Sequence, residues 1–369
     1  MLLHIATRKG LFVYDLAGAP SIVGRHFLGL DVTLTLADPR SGNWYAALEH
    51  GHFGVKLHRS ADRGASWQEV AAPVYPQRPA DAPENGADGR PLPWDLKKIW
   101  SLEAGGPDQV GRLWCGTIPG GLFRSDDHGA SWSLVGSLWN HPSRREWFGG
   151  GADYPGIHSI CVDPRDARRI RIAVSCGGVW RSDDSGASWR NTSKGLFAVF
   201  MPPERREDPN IQDVHRLVQC RDQPDRLWIQ HHNGVFRSLD GGETWLHCPE
   251  VPPSGIGFGF TVAVHPEHGD TAWLIPAVKD ESRIPVDGRV VVTRTIDGGS
   301  SWEVLREGLP QEDAYDLVWR HSLDVSPDGR HLAFGSTTGS LWLSRDGGST
   351  WHELNAHLPP IHAVRLIAE

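Results

Sequence analysis

The sequence repeats one eight-residue phrase six times, and this repeat constrains the fold more than any other feature of the chain. The phrase follows the pattern S/T-x-D-x-G-x-x-W, and its tryptophans are Trp67, Trp132, Trp189, Trp245, Trp302 and Trp351. Successive tryptophans lie 49 to 65 residues apart. A repeat of this length indicates a modular fold in which each copy belongs to one supersecondary unit. We therefore expect one repetitive architecture, although 369 residues would otherwise suggest two or three domains.

Residues 158–190 illustrate the content of one unit. Residues 158–163, 169–175 and 178–183 have the composition of three short strands, and Pro164 ends the first of them. The repeated phrase then makes a turn into a fourth strand at Trp189. Four short strands bounded by Gly, Pro and Asp turns are typical of a β-propeller blade.

The repeated phrase resembles the Asp-box, also called the BNR repeat, of sialidases, sortilin-type receptors and xyloglucan-degrading propellers. Its Asp can accept hydrogen bonds from its own turn, its Gly permits a positive φ, and its Trp can fill the seam between neighbouring blades. The resemblance implies a β-propeller and implies that the phrase lies away from the active site. We therefore interpret the six Asp residues as structural.

The innermost strands of successive units align at seven positions, not six. We predict that each of these strands begins at the aligned residue, which is Thr33, Trp100, His158, His215, Phe260, His321 or His362. The last strand has none after it, and residues 2–15 match the second and third strands of a unit. We predict an all-β, seven-bladed β-propeller with four-stranded antiparallel blades, forming a single domain over residues 1–369. Residues 359–369 should pair with residues 1–28, which removes an exposed sheet edge. Asp15 to Gly18 replaces the phrase in this composite blade.

The strand order assigns the loops to two faces. The phrase joins the third strand to the fourth, so the loops between second and third strands, and those from a fourth strand to the next first strand, lie on the opposite face. Four of the seven aligned positions on that face are histidines: His158, His215, His321 and His362. Histidine is the commonest metal ligand, so we predict a divalent transition metal, Zn, Mn, Fe, Cu or Ni. The alternative is that these histidines cap grooves between blades or contact the substrate.

Other polar and aromatic residues map to the same face. The predicted catalytic residues are Glu49, Lys98 and Arg320. Further candidates for ligands, proton carriers or plain surface residues are His50, His52, His231, His232 and Trp100. Asp31 and Asp213, each two residues before an aligned position, could orient a neighbouring imidazole. The basic groups would favour an anionic substrate, or they are ordinary solvated charges.

The composition limits the classes of binding partner that we expect. The formal net charge is −8 and the chain has no Lys/Arg-rich block, so we expect no nucleic-acid partner. The five cysteines show no CxxC pairing, and we expect those in strands to be reduced. No signal peptide and no membrane-spanning stretch is visible, so we expect a cytoplasmic protein without a membrane partner.

The families that carry the phrase imply different activities. Sialidases use an arginine triad and a Tyr–Glu pair on six blades, and the Arg-Ile-Pro at Arg283 follows four phrases rather than preceding the first. The xyloglucan-degrading class joins two propellers, whereas we predict one. Some seven-bladed lyases hold a metal with histidines at the same face. We predict a metal-dependent hydrolase or lyase acting on a small anionic or carbohydrate-like molecule. The alternative is a non-catalytic propeller that binds a protein partner, similar to photosystem assembly factors.

Overall fold

The computed structural model describes residues 1–80, 82, 84–86, 89–150 and 152–368. Within these residues the chain forms seven four-stranded antiparallel sheets, which confirms the predicted all-β, seven-bladed propeller fold. The described part also contains the short helix α1 (Gly136–Trp139). Single 3-10 turns occupy Gly51–Phe53, Pro142–Glu146, Pro203–Arg205 and Val286–Gly288. No helix of the described residues is long and apolar enough to cross a membrane.

The strands follow one another with the regularity that the repeat predicts. The first fourteen are β1 (Leu2–Thr7), β2 (Gly10–Asp15), β3 (Ser21–His26), β4 (Asp31–Ala37), β5 (Trp44–Glu49), β6 (Val55–Ser60), β7 (Gln68–Val70), β8 (Lys98–Ala104), β9 (Leu113–Ile118), β10 (Leu122–Ser125), β11 (Ser133–Leu134), β12 (Gly156–Val162), β13 (Ile170–Ser175) and β14 (Gly178–Ser182). The others are β15 (Arg190–Asn191), β16 (Val214–Gln219), β17 (Leu227–His231), β18 (Gly234–Ser238), β19 (Leu246–Cys248), β20 (Gly259–Val264), β21 (Ala272–Pro276), β22 (Val292–Thr295), β23 (Glu303–Leu305), β24 (Leu323–Val325), β25 (Leu332–Gly335), β26 (Leu341–Ser344), β27 (His352–Asn355) and β28 (Ile361–Ile367).

Residue packing divides the chain into two compact units. Unit 1 comprises residues 1–35, 218–241 and 245–369, and unit 2 comprises residues 36–217 and 242–244. Unit 1 contains the complete sheets β20 to β23 and β24 to β27, and unit 2 contains the complete sheets β8 to β11 and β12 to β15.

The composite blade lies in unit 1 and has the strand order β28-β1-β2-β3. Strand β28 pairs antiparallel with β1, with Leu366 opposite Leu3 and Val364 opposite Ile5. These four side chains share one apolar cluster. The predicted pairing of the two chain ends is therefore confirmed, with Glu369 lying outside the described residues. Asp15 still accepts a hydrogen bond from a backbone N–H two residues on, although the repeated phrase is missing.

The repeated phrase forms a self-contained turn. In the fifth copy, Asp297 accepts hydrogen bonds from Thr295 Oγ1 at 2.9 Å, Ser301 N at 2.9 Å and Ser301 Oγ at 2.6 Å. The hydrogen bonds from Ser301 and Thr295 lower the pKa of Asp297 to about 2. The Asp residues of the first, second, third and sixth copies make the same bonds. This confirms the interpretation of these Asp residues as structural.

An arginine directly before the phrase joins neighbouring blades, a role that we did not predict. In unit 2, Arg59 Nη1 donates to the carbonyl of His128, the fourth residue of the next copy, at 3.3 Å. In unit 1, Arg294 Nη1 donates to the carbonyl of Gly347, again the fourth residue of the next copy, at 3.0 Å. Arginine precedes five copies, and Leu343 precedes the sixth. The blade that follows the sixth copy is the composite one, which has no such turn to hold.

The tryptophans of the phrase make different contacts in different blades, although we predicted that all of them fill seams. Trp132 donates its indole N–H to Ala71 O of the preceding blade at 2.9 Å, as a seam residue should. Trp189 and Trp351 instead donate to carbonyls of their own turns, at 3.2 and 2.9 Å, and are almost fully buried. The indole can therefore close its own turn or reach the adjacent blade. All five cysteines are free thiols, four of them buried.

Candidate functional site

The aligned positions coincide with β-bulges in three innermost strands. Trp100 in β8, His158 in β12 and His362 in β28 are each an extra residue that the partner strand does not oppose. A bulge interrupts the alternation of side chains and redirects the extra residue, and bulges are frequent beside functional sites. We predicted that the aligned residue begins its strand. This was wrong, since these three strands begin one or two residues earlier, and β24 begins two residues after His321.

Two predicted catalytic residues meet in unit 2. Glu49 ends β5, Lys98 begins β8, and Lys98 Nζ lies 3.5 Å from Glu49 Oε2. The Glu49 side chain is 49% exposed and that of Lys98 29%. The half-exposed carboxylate of this ion pair is therefore accessible on the loop-rich side of the unit.

Trp100 lies two residues after Lys98 and is half-buried. It rests on Gly156, where an added Cβ would lie 2.3 Å from Trp100 Cε3, so only glycine fits beneath the indole. His158 packs edge-on against Trp100 with ring centroids 5.5 Å apart, and its Nδ1 lies 2.9 Å from Ser159 Oγ. His158 is fully buried. Its contacts hold the indole in place, which agrees with the cap alternative, and its metal-binding role stays a prediction.

A buried carboxyl group lies on the same side of unit 2. Asp213 is 5% exposed and has its Oδ2 3.4 Å from His215 Nε2. Ser175 Oγ donates to Asp213 Oδ1 at 3.5 Å. The loop residue Gly150 covers these groups, since a Cβ there would lie 2.7 Å from Ser175 Oγ and 2.8 Å from Asp213 Oδ1. The imidazole that we expected Asp213 to orient is therefore that of His215.

A second histidine–carboxylate pair lies in unit 1. His362 Nε2 is 3.0 Å from Asp31 Oδ1, and both side chains are about a quarter exposed, at 24% and 27%. His321 is tied to the same strand through its backbone, because its carbonyl accepts the Val364 N–H at 2.9 Å. The predicted metal ligands are therefore distributed as His158 and His215 in unit 2 and His321 and His362 in unit 1. Each unit offers one imidazole beside a carboxylate as a pair of ligand atoms.

Arg320 differs from the expectation of a solvent-facing catalytic cation. It is 5% exposed, and its guanidinium lies 5.4 Å from the ring centroid of Phe260. Arg283 approaches the same ring at 5.4 Å, and Trp319 packs against it at 5.1 Å. Arg320 is thus part of a buried aromatic cluster of unit 1, because its side chain stacks on Phe260 instead of extending into the solvent.

The remaining candidate histidines occupy three settings. His50 and His52 flank the exposed side chain of Phe53, at ring distances of 5.1 and 4.1 Å. His232 packs edge-on against Phe258 at 5.6 Å. We expected His231 to be a surface residue, and this was wrong: it is fully buried, and its Nδ1 accepts the Asn233 N–H at 3.0 Å. His231 therefore closes the turn between β17 and β18.

Sequence reasoning gave Asp213 only a supporting role. Its burial depends on Ser175 and on the loop at Gly150, which are far from it in the sequence. The adjacent glycines Gly149 and Gly150 were the available signal, because a chain that passes close over polar side chains needs small residues.

No family model matches the chain. A xyloglucanase from Paenibacillus sp is 28% identical over 333 residues, covering 77% of this chain and 29% of that protein. The chain spans between 20% and 29% of the length of three such curated relatives. These relatives are xyloglucanases, whereas we had predicted a metal-dependent hydrolase or lyase.

Solved structures agree on the fold. A crystal structure of an ancestral GH74 enzyme superposes with a TM-score of 0.61 at 17% identity, covering 87% of this chain and 38% of that one. A structure of YCF48 bound to D1 peptide superposes with a TM-score of 0.50 at 16% identity, covering 84% of this chain and 78% of that one. The chain is thus a seven-bladed β-propeller that is similar in sequence to xyloglucanases.

Proposed function

We propose that unit 2 carries a site that hydrolyses glycosidic bonds in a carbohydrate related to xyloglucan. The observation that carries the proposal is the presence of Asp213, Glu49 and Trp100 on the loop-rich side of this unit, in a chain similar to xyloglucanases. Glycoside hydrolysis usually requires two carboxyl groups, one donating a proton to the leaving oxygen and one activating water or attacking the sugar.

The environments of the two carboxyl groups suit different roles. Asp213 is buried beside Ser175 and His215, and the more buried of two such carboxyl groups commonly serves as the general acid. Glu49 is half exposed and ion-paired with Lys98, so its carboxylate is open to the water that a base must activate. We assign the acid role to Asp213 and the base role to Glu49.

Trp100 supplies a surface for the sugar. A pyranose ring has an apolar face that packs on an indole, and Gly156 and His158 fix the orientation of this indole. Lys98 would position Glu49 through the ion pair at 3.5 Å. Trp100 therefore contributes mainly to the binding of the sugar, and the two carboxyl groups contribute mainly to the rate of hydrolysis.

The test is the release of reducing ends from xyloglucan by the full chain. Asp213→Asn and Glu49→Gln should each lower kcat at least about 100-fold, because each removes a proton-transfer group. Trp100→Ala should mainly raise KM. The control is Glu69→Gln, because Glu69 forms a similarly exposed ion pair with Lys56 in the same unit, at 2.8 Å. An unchanged kcat in Glu49→Gln would rule out its role, and no release by the native chain would overturn the proposal.

The metal-dependent form of the proposal uses His215 and Asp213 as two ligands of a divalent ion. Such an ion would polarise a carboxylate or a bound water. Dialysis against a chelator should then abolish activity, and a transition metal should restore it. A lyase would leave an unsaturated product that absorbs ultraviolet light, whereas a hydrolase would not. Activity that survives the chelator would leave the two-carboxyl hydrolase.

The second candidate is a non-catalytic propeller that binds a protein partner. It is supported by fold similarity to two YCF48 structures, one of them bound to D1 peptide, which superpose over 84% and 89% of this chain. For this candidate, no reducing ends would appear, and a defined protein would co-purify with the chain in stoichiometric amount.

A further inference from the structure

A cavity of about 530 Å³ opens in unit 1, beside the fifth copy of the repeated phrase. Its lining includes Arg237, Leu246, His247, Glu250, Ser300 and Trp302. Strands β18 and β19 form one wall and the fifth turn forms the other. All of these residues belong to unit 1. Its volume is within the range of ligand-binding pockets.

The tryptophan of the fifth copy differs from its counterparts in the third and sixth. Trp189 and Trp351 donate their indole N–H to their own turns and are almost fully buried. Trp302 is only partly buried, and its indole N–H has no acceptor among the described residues. Its ring packs edge-on against Trp228 of the preceding blade at 6.3 Å. The indole therefore belongs to the cavity wall rather than to its own turn.

The equivalent seam in unit 2 has no indole in its lining, and its cavity can be compared with this one in volume and composition. That seam lies between β11 and the third turn, and its cavity is about 250 Å³. Its lining includes Arg124, Ser133 and Ala187, which correspond to Arg237, Leu246 and Ser300, but no aromatic side chain. Ser137 also crosses it and donates to Gly186 O. The larger, aromatic cavity is therefore a local elaboration of a common seam.

The chemistry of the lining favours an uncharged, polar ligand. Arg237 faces Asp270 at 3.7 Å, which offsets its charge, and Glu250 adds a carboxylate. Burial lowers the pKa of His247, so its imidazole is neutral near pH 7. The indole of Trp302 and the half-exposed Leu246 supply apolar contact. Apolar walls with a few convergent polar groups match a sugar ring, which has one apolar face and a rim of hydroxyl groups.

We propose that this cavity is a second, non-catalytic binding site for a neutral pyranose unit of a glucan chain. It rests on the proposed function for the class of sugar, but its location and construction do not depend on the site in unit 2. Two sites on one chain raise the affinity for a polymer far more than that for a short oligosaccharide, because the second contact is intramolecular.

The test compares the binding of polymeric xyloglucan by the native chain and by Ser300→Trp, a substitution that fills the cavity from an exposed position. The matched control is Ala187→Trp, at the same position of the third turn. Ser300→Trp should weaken polymer binding at least about tenfold and leave hydrolysis of short xyloglucan oligosaccharides unchanged. Trp302→Ala should weaken binding similarly, with circular dichroism checking that it remains folded.

The outcomes separate this proposal from the proposed function. Equal polymer binding by the native chain and Ser300→Trp would overturn the second site, even if hydrolysis is normal. Loss of polymer binding in both Ser300→Trp and Ala187→Trp would also overturn it, since the effect would not belong to this cavity. Polymer binding that depends on Trp302 in a chain without hydrolytic activity would support the cavity and refute the hydrolase.

Discussion

Asp163 is the buried charged residue that we expect to contribute most to the stability of unit 2. It follows β12 directly, and its side chain is fully buried. Arg165 donates to it through the backbone N and Nε, both at 3.0 Å, and through Nη2 at 2.8 Å. The guanidinium of Arg171, which is 1% exposed, lies 3.6 Å from the carboxylate. The substitution Asp163→Asn keeps the shape of this group and removes its charge.

The expected loss in the free energy of unfolding of Asp163→Asn follows from these contacts. The asparagine oxygen can still accept from Arg165 N and Nε, but its NH₂ group would face Arg165 Nη2 and Arg171 Nη1, which are also donors. One charge-assisted hydrogen bond is lost, and a buried guanidinium loses its counter-charge. Removing one partner of a buried ion pair costs about 3 kcal/mol or more. We expect the free energy of unfolding to fall by about 3 kcal/mol at pH 7.

The loss should depend on pH in a defined direction. Burial opposes ionisation of Asp163, but hydrogen bonds from Arg165 and the charges of Arg165 and Arg171 hold its pKa below the ordinary value of 3.8. A carboxyl with a lowered folded-state pKa stabilises the fold above its unfolded pKa, and this contribution is lost as pH falls through the folded pKa. The difference between the native chain and Asp163→Asn should therefore be full near pH 7 and shrink below pH 3.8.

Urea unfolding followed by tryptophan fluorescence measures this difference, since the chain contains 17 tryptophans. The control is Asp153→Asn, whose carboxylate is 88% exposed beside Arg90 and should leave the midpoint unchanged. A loss below about 1 kcal/mol for Asp163→Asn would refute the reasoning, because the buried guanidinium would then need no counter-charge. A loss that stays constant from pH 7 to well below pH 3.8 would refute the linkage.

Substitutions at three further positions test how the blades are held. Arg294→Ala should cost about 1 kcal/mol in urea unfolding, because it removes the bond to Gly347 O, whereas Arg294→Lys should recover part of the loss. Gly339→Ala should cost about 3 kcal/mol, since φ is +96° and the new Cβ would lie 1.8 Å from Leu358 O; a thermal midpoint equal to that of the native chain would contradict this. Val364→Ala in the closing strand should cost about 2 kcal/mol and increase hydrogen exchange in β1, and exchange unchanged there would argue against closure through this pair.

The repeated turn could be predicted closely from the sequence because its interactions are local. Thr295, Asp297 and Ser301 lie within seven residues, so their types and spacing fix their hydrogen bonds wherever the turn occurs. The pairing of the chain ends could also be predicted, because a missing half-unit at each end of a repeat array must be completed by the other. The arginine before the phrase was equally visible in the sequence, but its acceptor belongs to the next turn, and its role needed coordinates.

The candidate site was predicted less well because its residues depend on long-range packing. Glu49 and Lys98 were named separately, and only their placement at the ends of β5 and β8 makes them an ion pair. His158 and Arg320 were predicted only to lie on the loop-rich face, and neighbouring aromatic rings pack against both of them. The β-bulges explain part of this difference, since one extra residue redirects a side chain that strict alternation would have placed elsewhere.

The sequence by itself determined the strand count per blade, the structural role of the repeated Asp residues and the joining of the two ends, because repetition and short-range hydrogen bonding are written in residue order. The tertiary structure alone decided which carboxyl is buried, which carboxylate is paired and where a cavity opens. Those properties arise from contacts between residues that are far apart in the sequence, such as Gly150 over Asp213 or Trp302 beside Trp228. Burial and charge pairing depend on distances in space, which residue order does not specify, and they determine which carboxyl groups and cavities are available for binding or proton transfer.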